Sequence, residues 1–225
     1  EDGYRDLKRR ILTLQLEPGA DLDEVTLSAE YGLSRTPLRE ILQRLAGEGY
    51  VQLASHRGAK VASMDITALR TFFQTAPMIY SAIARLAAEN HKVSELTALG
   101  EVQNTFREAL SATNAEEAAL ANHAFHAGIG GMAKNPYLAA CLDRLLIDHT
   151  RLGRSFYQPR APQEQELIDK ALVQHDQMIE AFKARDADRA VALTLEHWDL
   201  SRDRIERFVR PDPLPIDGRD VAHAI

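Results

Sequence analysis

The chain has 225 residues, of which 45% are hydrophobic and 27% are charged, a composition typical of a folded globular protein and not of a disordered one. The formal net charge of −6 gives no support for binding to nucleic acid, and no run approaches the roughly 18 apolar residues that a membrane helix needs. The single cysteine, Cys141, excludes an intramolecular disulfide and favours a reducing cytoplasm.

The first predicted elements are two short helices. The N-terminal residues show no signal-peptide pattern, and because residue 1 is glutamate we expect the natural chain to begin further upstream. Pro18-Gly19 is expected to stop the first helix, whose apolar residues recur at helical spacing. These residues are Leu7, Ile11 and Leu14. A second helical stretch covers 27–31 and ends at Gly32, since glycine readily takes the left-handed conformation.

A third helix and a hairpin follow. Ser34 is the expected N-cap, and Gly47 and Gly49 are expected to end the helix. Two strand-like runs, 50–53 and 60–62, flank a loop with glycine near its tip. The apolar stripe of the helix consists of Leu38, Ile41, Leu42 and Leu45. The order of helix, helix, turn, helix and hairpin predicts a winged helix-turn-helix over residues 1–64.

The rest of the chain predicts a second domain that is entirely helical, over residues 67–210. Helical periodicity recurs in six segments. They cover approximately 67–90, 94–111, 115–132, 136–157, 163–184 and 187–209. The tail, 211–225, is rich in proline and is expected to be loosely attached.

The third helix carries the candidate DNA-reading residues. Residues 1–64 hold nine Lys/Arg against ten Asp/Glu, so DNA binding must depend on where the basic groups lie. Arg35, Arg39 and Gln43 are spaced four residues apart opposite the apolar stripe, with Thr36 beside them. Arginines at the N-terminal end of such a helix reach guanine or phosphate in the major groove. A solvated charged face is the alternative, but the order of the surrounding elements favours DNA binding.

These motifs resemble a known family. The run YGLSRTPLRE (31–40), then L-x-x-EGYV (45–51) and RG-x-x-V (57–61), is similar to the DNA-binding domain of GntR-type regulators. The resemblance implies that Arg35, Thr36 and Arg39 contact operator DNA. It also implies that the wing contains His56, Arg57 and Gly58. Val25 departs from the family, where a polar or basic residue often touches DNA, so the operator preference is expected to differ.

Four of the eight histidines fall on apolar helix faces. They are His126, His149, His175 and His197. Imidazoles directed into a helical bundle need partners, because an unpaired buried polar group costs about 1–3 kcal/mol. A shared divalent metal is one such partner, since neutral imidazole is a common ligand and bundle cores host metal sites. Hydrogen-bonded core histidines are the alternative, which periodicity alone leaves open.

A second resemblance favours a metal site over hydrogen-bonded core histidines. Residues 67–209 look like the FadR-type ligand domain of GntR regulators, an antiparallel six-helix bundle, and N-H-A-F-H (122–126) resembles its Asp-x-x-Phe-His element. The resemblance implies a divalent-metal site for zinc, nickel or manganese, with Asn122, His126, His175 and His197 as ligands. Asn122 stands where the family usually has aspartate. Because a neutral amide brings no charge, we expect weaker binding or a different metal.

The effector site departs from the family as well. Ala76 and Tyr80 replace the family's frequent Arg-x-x-x-Glu pair, whose arginine often holds an effector carboxylate. A simple organic-acid effector is therefore less favoured. The candidate effector-binding residues are Ala76, Tyr80, His149 and Arg151.

Together these patterns predict a mainly helical, cytoplasmic transcriptional regulator that is not an enzyme and has no membrane partner. We expect a homodimeric repressor whose binding to a double-stranded operator is modulated by a small-molecule effector. A metal-dependent enzyme is one rival, since three histidines around a metal can activate water. However, no acidic residue is placed as a general base beside His126, and the DNA-reading unit would have no role. An architectural DNA-binding protein without an effector is the other rival.

Overall fold

The fold is taken from a computed structural model that describes residues 2–54 and 58–209. The described elements, in chain order, are α1 (Asp2–Leu12), β1 (Asp21–Leu22), α2 (Glu24–Tyr31), α3 (Arg35–Glu48), β2 (Val51–Ala54), β3 (Gly58–Val61), α4 (Ile66–Asn90), α5 (Val93–Ser111), α6 (Ala115–Met132), α7 (Pro136–Phe156), α8 (Pro162–Lys183) and α9 (Ala187–Val209). The predicted fold class, a winged helix-turn-helix followed by six bundle helices, is confirmed.

The three-helix unit at the N-terminus is completed by a small antiparallel sheet of order β1-β3-β2. Strands β2 and β3 pair from Val51↔Val61 to Ala54↔Gly58, which is the predicted hairpin. The sequence did not predict β1, which pairs Leu22 with Ala59 on the other edge of β3. Two residues are too few to show the alternation that identifies a strand.

The helix ends in this unit differ in three places from the prediction, the first being that α2 begins at Glu24 and not near Leu27. Helix α1 ends at Leu12, well before Pro18-Gly19, and Leu14 has a positive φ of 61°. Gly47 lies inside α3, and Gly49 alone forms its left-handed end, with φ 89°. The backbone of Ser34 is extended, as an N-cap requires, but its side chain makes no capping hydrogen bond. The first turn of α3 therefore keeps free N–H groups, to which an anion can bind.

Apolar stripes of α1 and α3 form the core of this unit. Leu7, Ile11, Leu38 and Leu45 are completely buried there. The same core contains Ile147 of α7, also completely buried. One bundle side chain thus fills the interior of the N-terminal unit.

Gly58 begins β3 in a conformation that only glycine adopts easily. Its φ is +85°, and an added Cβ would lie 2.8 Å from the Leu22 carbonyl oxygen. We therefore expect Gly58→Ala to lower the free energy of unfolding by about 1–3 kcal/mol, since backbone strain and the clash act together. Urea denaturation followed by circular dichroism measures this change.

A matched control is Gly47→Ala, on the exposed side of α3. Nothing lies within 4 Å of the added Cβ, and the helical backbone is unstrained. Alanine is there expected to stabilise the helix by up to about 1 kcal/mol. If both variants were destabilised alike, the proposed strain at Gly58 would be wrong.

Helices α4 to α9 form the bundle. Consecutive helices are joined by turns of two to five residues, which makes them antiparallel neighbours. The long helix α4 packs against α6, α7 and α9. Within the described residues, no helix combines the length and hydrophobicity that are needed to span a bilayer.

A candidate DNA interface and a candidate metal centre

Helix α3 presents its candidate DNA-reading residues to solvent. Arg35, Thr36, Arg39 and Gln43 are all exposed, because Leu38, Leu42 and Leu45 hold the opposite face in the core. The four side chains therefore share the outer face of a helix whose first turn has free N–H groups. This arrangement suits insertion into a major groove.

Arg39 has a partner that sequence reasoning missed. Its Nε donates to the Glu24 carboxylate at 3.0 Å, while its side chain stays 60% exposed. Glu24 begins α2, so the ion pair joins the two helices of the helix-turn-helix. Exposed ion pairs contribute at most about 1 kcal/mol, so DNA phosphate or guanine can displace Glu24 at small cost.

The predicted wing is described only at its base. Gly58 starts β3, and the exposed side chain of Lys60 on this strand lies 3.2 Å from the Asp21 carboxylate of β1. His56 and Arg57, two of the candidate DNA-binding residues, lie outside the described residues.

Three of the predicted metal ligands converge inside the bundle. Helices α6, α8 and α9 contribute His126, His175 and His197, whose candidate ligand nitrogens all lie within 4.8 Å of one another. His126 and His175 are buried, at 4% and 0% exposure. Burial lowers the pKa of both imidazoles well below the usual range and that of His197 to about 4. All three rings are therefore neutral near pH 7 and can offer lone pairs.

Two glutamines, which no sequence pattern indicated, hold two of these rings. His175 Nδ1 lies 3.0 Å from Gln103 Oε1, and His197 Nδ1 lies 3.2 Å from Gln174 Oε1. The Nε2 atoms of the two histidines then face each other at 3.3 Å. A ring whose Nδ1 donates a proton has only a lone pair at Nε2. In this arrangement, in which both Nδ1 atoms donate to glutamine oxygens, the two Nε2 lone pairs meet.

The other two predicted ligands contribute unsatisfied atoms. His126 Nε2 and Asn122 Oδ1 are buried, and neither has a hydrogen-bond partner among the described residues. Both atoms belong to α6, four positions apart, so they lie on one face of the helix. Orphaned buried polar atoms cost free energy, and a cation bound between these two atoms, with the lone pair of His126 on Nε2, would remove that cost.

Two of the four candidate effector residues, His149 and Tyr80, lie beside this cluster of histidines. The Tyr80 hydroxyl is 2.6 Å from His149 Nδ1, and the ring centroids of His126 and His149 are 4.9 Å apart. Burial raises the pKa of Tyr80 well above its usual range and lowers that of His149 to about 3. Ala76, the third candidate, is completely buried one turn earlier on α4.

Arg151, the fourth candidate, does not join them. Its guanidinium is buried, pairs with Asp148 and donates to the Ala62 carbonyl oxygen at 2.7 Å. Two residues along a helix turn the side chain by about 200°, so Arg151 and His149 leave opposite sides of α7. Arg151 therefore lies in the contact with the N-terminal unit, apart from His149 and Tyr80, and its effector role stays a prediction.

The space beside the histidines is small. A cavity of about 20 Å³ touches His149 and His197, which is enough for one water molecule. The remaining lining residues are Gly153, Phe156, Tyr157, Ala171 and Leu200. A metabolite therefore does not fit this cavity unless the bundle opens.

Helices α6 and α7 connect this cluster to the N-terminal unit. Arg9 of α1 binds Glu116 and Glu117 of α6 at 2.6 and 2.8 Å. From α7, Arg144 donates to the Gly49 carbonyl and Arg151 to that of Ala62. The helices that carry Asn122, His126 and His149 thus also hold the N-terminal unit.

Two protein families match this chain over separate ranges of residues. Residues 2–61 match the bacterial regulatory proteins of the gntR family, and residues 73–200 match the FCD domain. The transcriptional repressor GlaR of Escherichia coli is 29% identical over 87% of this chain and 90% of its own. The Nta operon transcriptional regulator of Aminobacter aminovorans is 24% identical over 88% and 90%.

Solved structures share the fold. Escherichia coli McbR/YncC superposes with a TM-score of 0.76 at 22% identity, covering 92% of this chain and 95% of that one. A GntR regulator from Rhodococcus sp. RHA1 gives 0.71 at 14% identity, with 90% and 95% covered.

Proposed function

Because this chain belongs to the GntR family of bacterial transcriptional regulators with an FCD domain, we propose that it is a repressor controlled from a cation centre in its bundle. Its family and relatives are DNA-binding regulators and not enzymes. GlaR and the gluconate operon regulator of Bacillus licheniformis are both transcriptional repressors. These two relatives support repression by this chain as well.

DNA binding is assigned to Arg35, Thr36, Arg39 and Gln43 on α3, with the wing at its side. One recognition helix covers only a half-site, so we propose a homodimer that reads two half-sites about one helical turn apart. The exposed face of α3 and its uncapped first turn support this assignment. We also propose functional domains over 1–64 and 67–210, with 211–225 as a tail.

The cation centre consists of His126, His175, His197 and Asn122. The observation that carries it is the pair of Nε2 atoms at 3.3 Å. Two nitrogen ligands of a tetrahedral zinc ion, each about 2.0–2.1 Å from the metal, are about 3.4 Å apart. The orphaned atoms of His126 and Asn122 supply the third and fourth donors.

The donor chemistry favours some ions over others. Imidazole suits zinc and nickel, whereas manganese prefers carboxylate and water oxygen. With three imidazoles and one neutral amide, the site supports zinc or nickel more than manganese. When bound, such an ion acts as a Lewis acid that holds the four side chains together and accepts a further ligand atom.

Asn122→Asp tests the fourth donor. The carboxylate adds a negative charge to an otherwise neutral set, so we expect zinc to bind at least tenfold more tightly. Isothermal titration calorimetry with zinc measures the change, with Asn104→Asp, on the surface of α5, as the control. Equal affinities for wild type and Asn122→Asp would show that Asn122 is not a ligand.

Control of DNA binding is proposed to pass through α7. A small effector that enters beside His149 must enlarge the one-water cavity, which displaces α7. Ile147 and Arg151 of the same helix contact the N-terminal unit, so the recognition helices move with it. An effector shifts operator affinity only by binding one arrangement better than the other.

The whole proposal is tested with DNA selected by the protein from a random-sequence pool. Fluorescence anisotropy then measures the affinity of the zinc-loaded protein and of protein treated with EDTA. A zinc-dependent affinity for the selected DNA is the expected result. No selected sequence would refute DNA reading, whereas unchanged affinity without zinc would favour an architectural DNA-binding protein.

A further inference from the structure

We propose that Gln103 and Gln174 are positioning residues that set histidine tautomers. Gln103 fixes the tautomer of His175 permanently, and Gln174 sets that of His197 reversibly. This inference rests on the proposed cation centre. Gln103 keeps His175 ready for a cation at all times. Gln174 rotates its amide when the cation arrives, which changes the tautomer of His197.

The orientation of Gln103 is fixed by its own amide group. Its Nε2 donates to the Leu172 carbonyl and to Asp176 Oδ1, both at 3.0 Å. Asp176 is itself held by Arg107, which donates to both carboxylate oxygens. Neither of these partners can donate a proton back, so Gln103 Oε1 must be the atom that faces His175. The residue is only 2% exposed.

This orientation determines the tautomer of His175. Because Gln103 Oε1 can only accept, His175 Nδ1 carries the proton of the neutral ring. His175 Nε2 therefore has a lone pair, directed at His197. The hydrogen bonds that run from Arg107 through Asp176 to Gln103 thus preorganise His175 as a ligand.

Gln174 lacks such a constraint. Its Oε1 lies 3.2 Å from His197 Nδ1, but its buried Nε2 has no partner among the described residues. Amide oxygen and nitrogen are nearly equal in size. A rotation of 180° therefore gives up no hydrogen bond from Nε2 and presents an N–H group to His197.

The two orientations correspond to two states of the site. Without a cation, the lone pair of His175 Nε2 needs a donor, which His197 supplies as Nε2–H while Gln174 donates to His197 Nδ1. With a cation, both Nε2 atoms are needed as ligands, so the His197 proton resides on Nδ1 and Gln174 accepts it. The proton stays on the same ring, so the change releases none.

Long-range ¹H–¹⁵N correlation spectra of histidine-labelled protein report each tautomer directly. In EDTA-treated protein we expect His175 with its proton on Nδ1 and His197 with its proton on Nε2. After zinc is added, both rings should be protonated on Nδ1. His175 protonated on Nε2 in the metal-free protein, or His197 in one tautomer throughout, would overturn the inference.

Substitutions separate positioning from packing. Gln103→Met and Gln174→Leu should each weaken zinc binding by about 10- to 100-fold, as the loss of an outer-shell partner does. Gln174→Glu keeps an acceptor but cannot donate when ionised, so it should hold His197 protonated on Nδ1 and bind zinc at least as tightly as wild type. Gln177→Leu, on the exposed side of α8, is the control.

Failure of this inference differs from failure of the cation centre. If wild-type protein bound no zinc, the centre would be refuted, yet the metal-free spectrum would still decide the tautomer of His175. If zinc bound but Gln174→Glu and Gln174→Leu had equal affinities, the role of Gln174 would be refuted alone.

Discussion

Replacing His126 with leucine should abolish zinc binding and leave the metal-free protein as stable as wild type, or more stable. The imidazole contributes a buried Nε2 without a partner, which is a cost to folding of about 1–3 kcal/mol. Leucine fills similar space without that atom. The same change removes a direct ligand, so zinc affinity should fall by more than the 10- to 100-fold that an outer-shell loss causes.

Two measurements check this pair of opposite effects. Calorimetric titration gives the zinc affinity, and thermal denaturation in EDTA gives the stability of the metal-free protein. His91→Leu serves as the control, because His91 is buried at the end of α4 and binds the Ala87 carbonyl. Wild-type zinc affinity in His126→Leu would remove His126 from the centre.

Arg35→Ala and Arg39→Ala should each weaken operator binding by about 1–3 kcal/mol, which is roughly 5- to 150-fold, if they contact bases. Both arginines are exposed on the outer face of α3. A contact to phosphate alone would instead weaken all DNA alike and reduce the salt dependence of binding. Comparison of selected and scrambled DNA therefore separates the two kinds of contact.

Anisotropy titrations at two salt concentrations measure these effects. Arg70→Ala, an exposed arginine on the bundle helix α4, removes the same charge away from α3 and should leave affinity nearly unchanged. Wild-type affinity in both α3 variants would refute the assignment of the recognition helix.

The helices were predictable because long apolar stripes carry a clear period. Short elements were not, since β1 consists of two residues and shows its pairing only next to β3. Leu14 continued the apolar spacing of α1, but its positive φ places it in a turn. A prediction from apolar spacing therefore extends a helix past the residue at which the backbone conformation ends it.

The candidate centre was predictable only in part. His126, His175 and His197 stood out through apolar stripes and a family resemblance, and the structure brings them together. Gln103 and Gln174 carry no sequence signal, because their role depends on contacts between α5, α8 and α9. Arg151 stood out only as an arginine that could replace the family's missing one, and its burial against Asp148 and the Ala62 carbonyl could not be foreseen from the sequence.

Ile147 limits how freely the two parts of this regulator can be exchanged. A chimera that joins the DNA-reading unit to an unrelated bundle would leave a hole where this side chain fills the N-terminal core. Loss of a buried isoleucine side chain costs about 2–5 kcal/mol, a large share of the stability of a small domain. Recombination between relatives therefore has to carry a matching apolar residue on α7, and the two parts are expected to evolve as a pair.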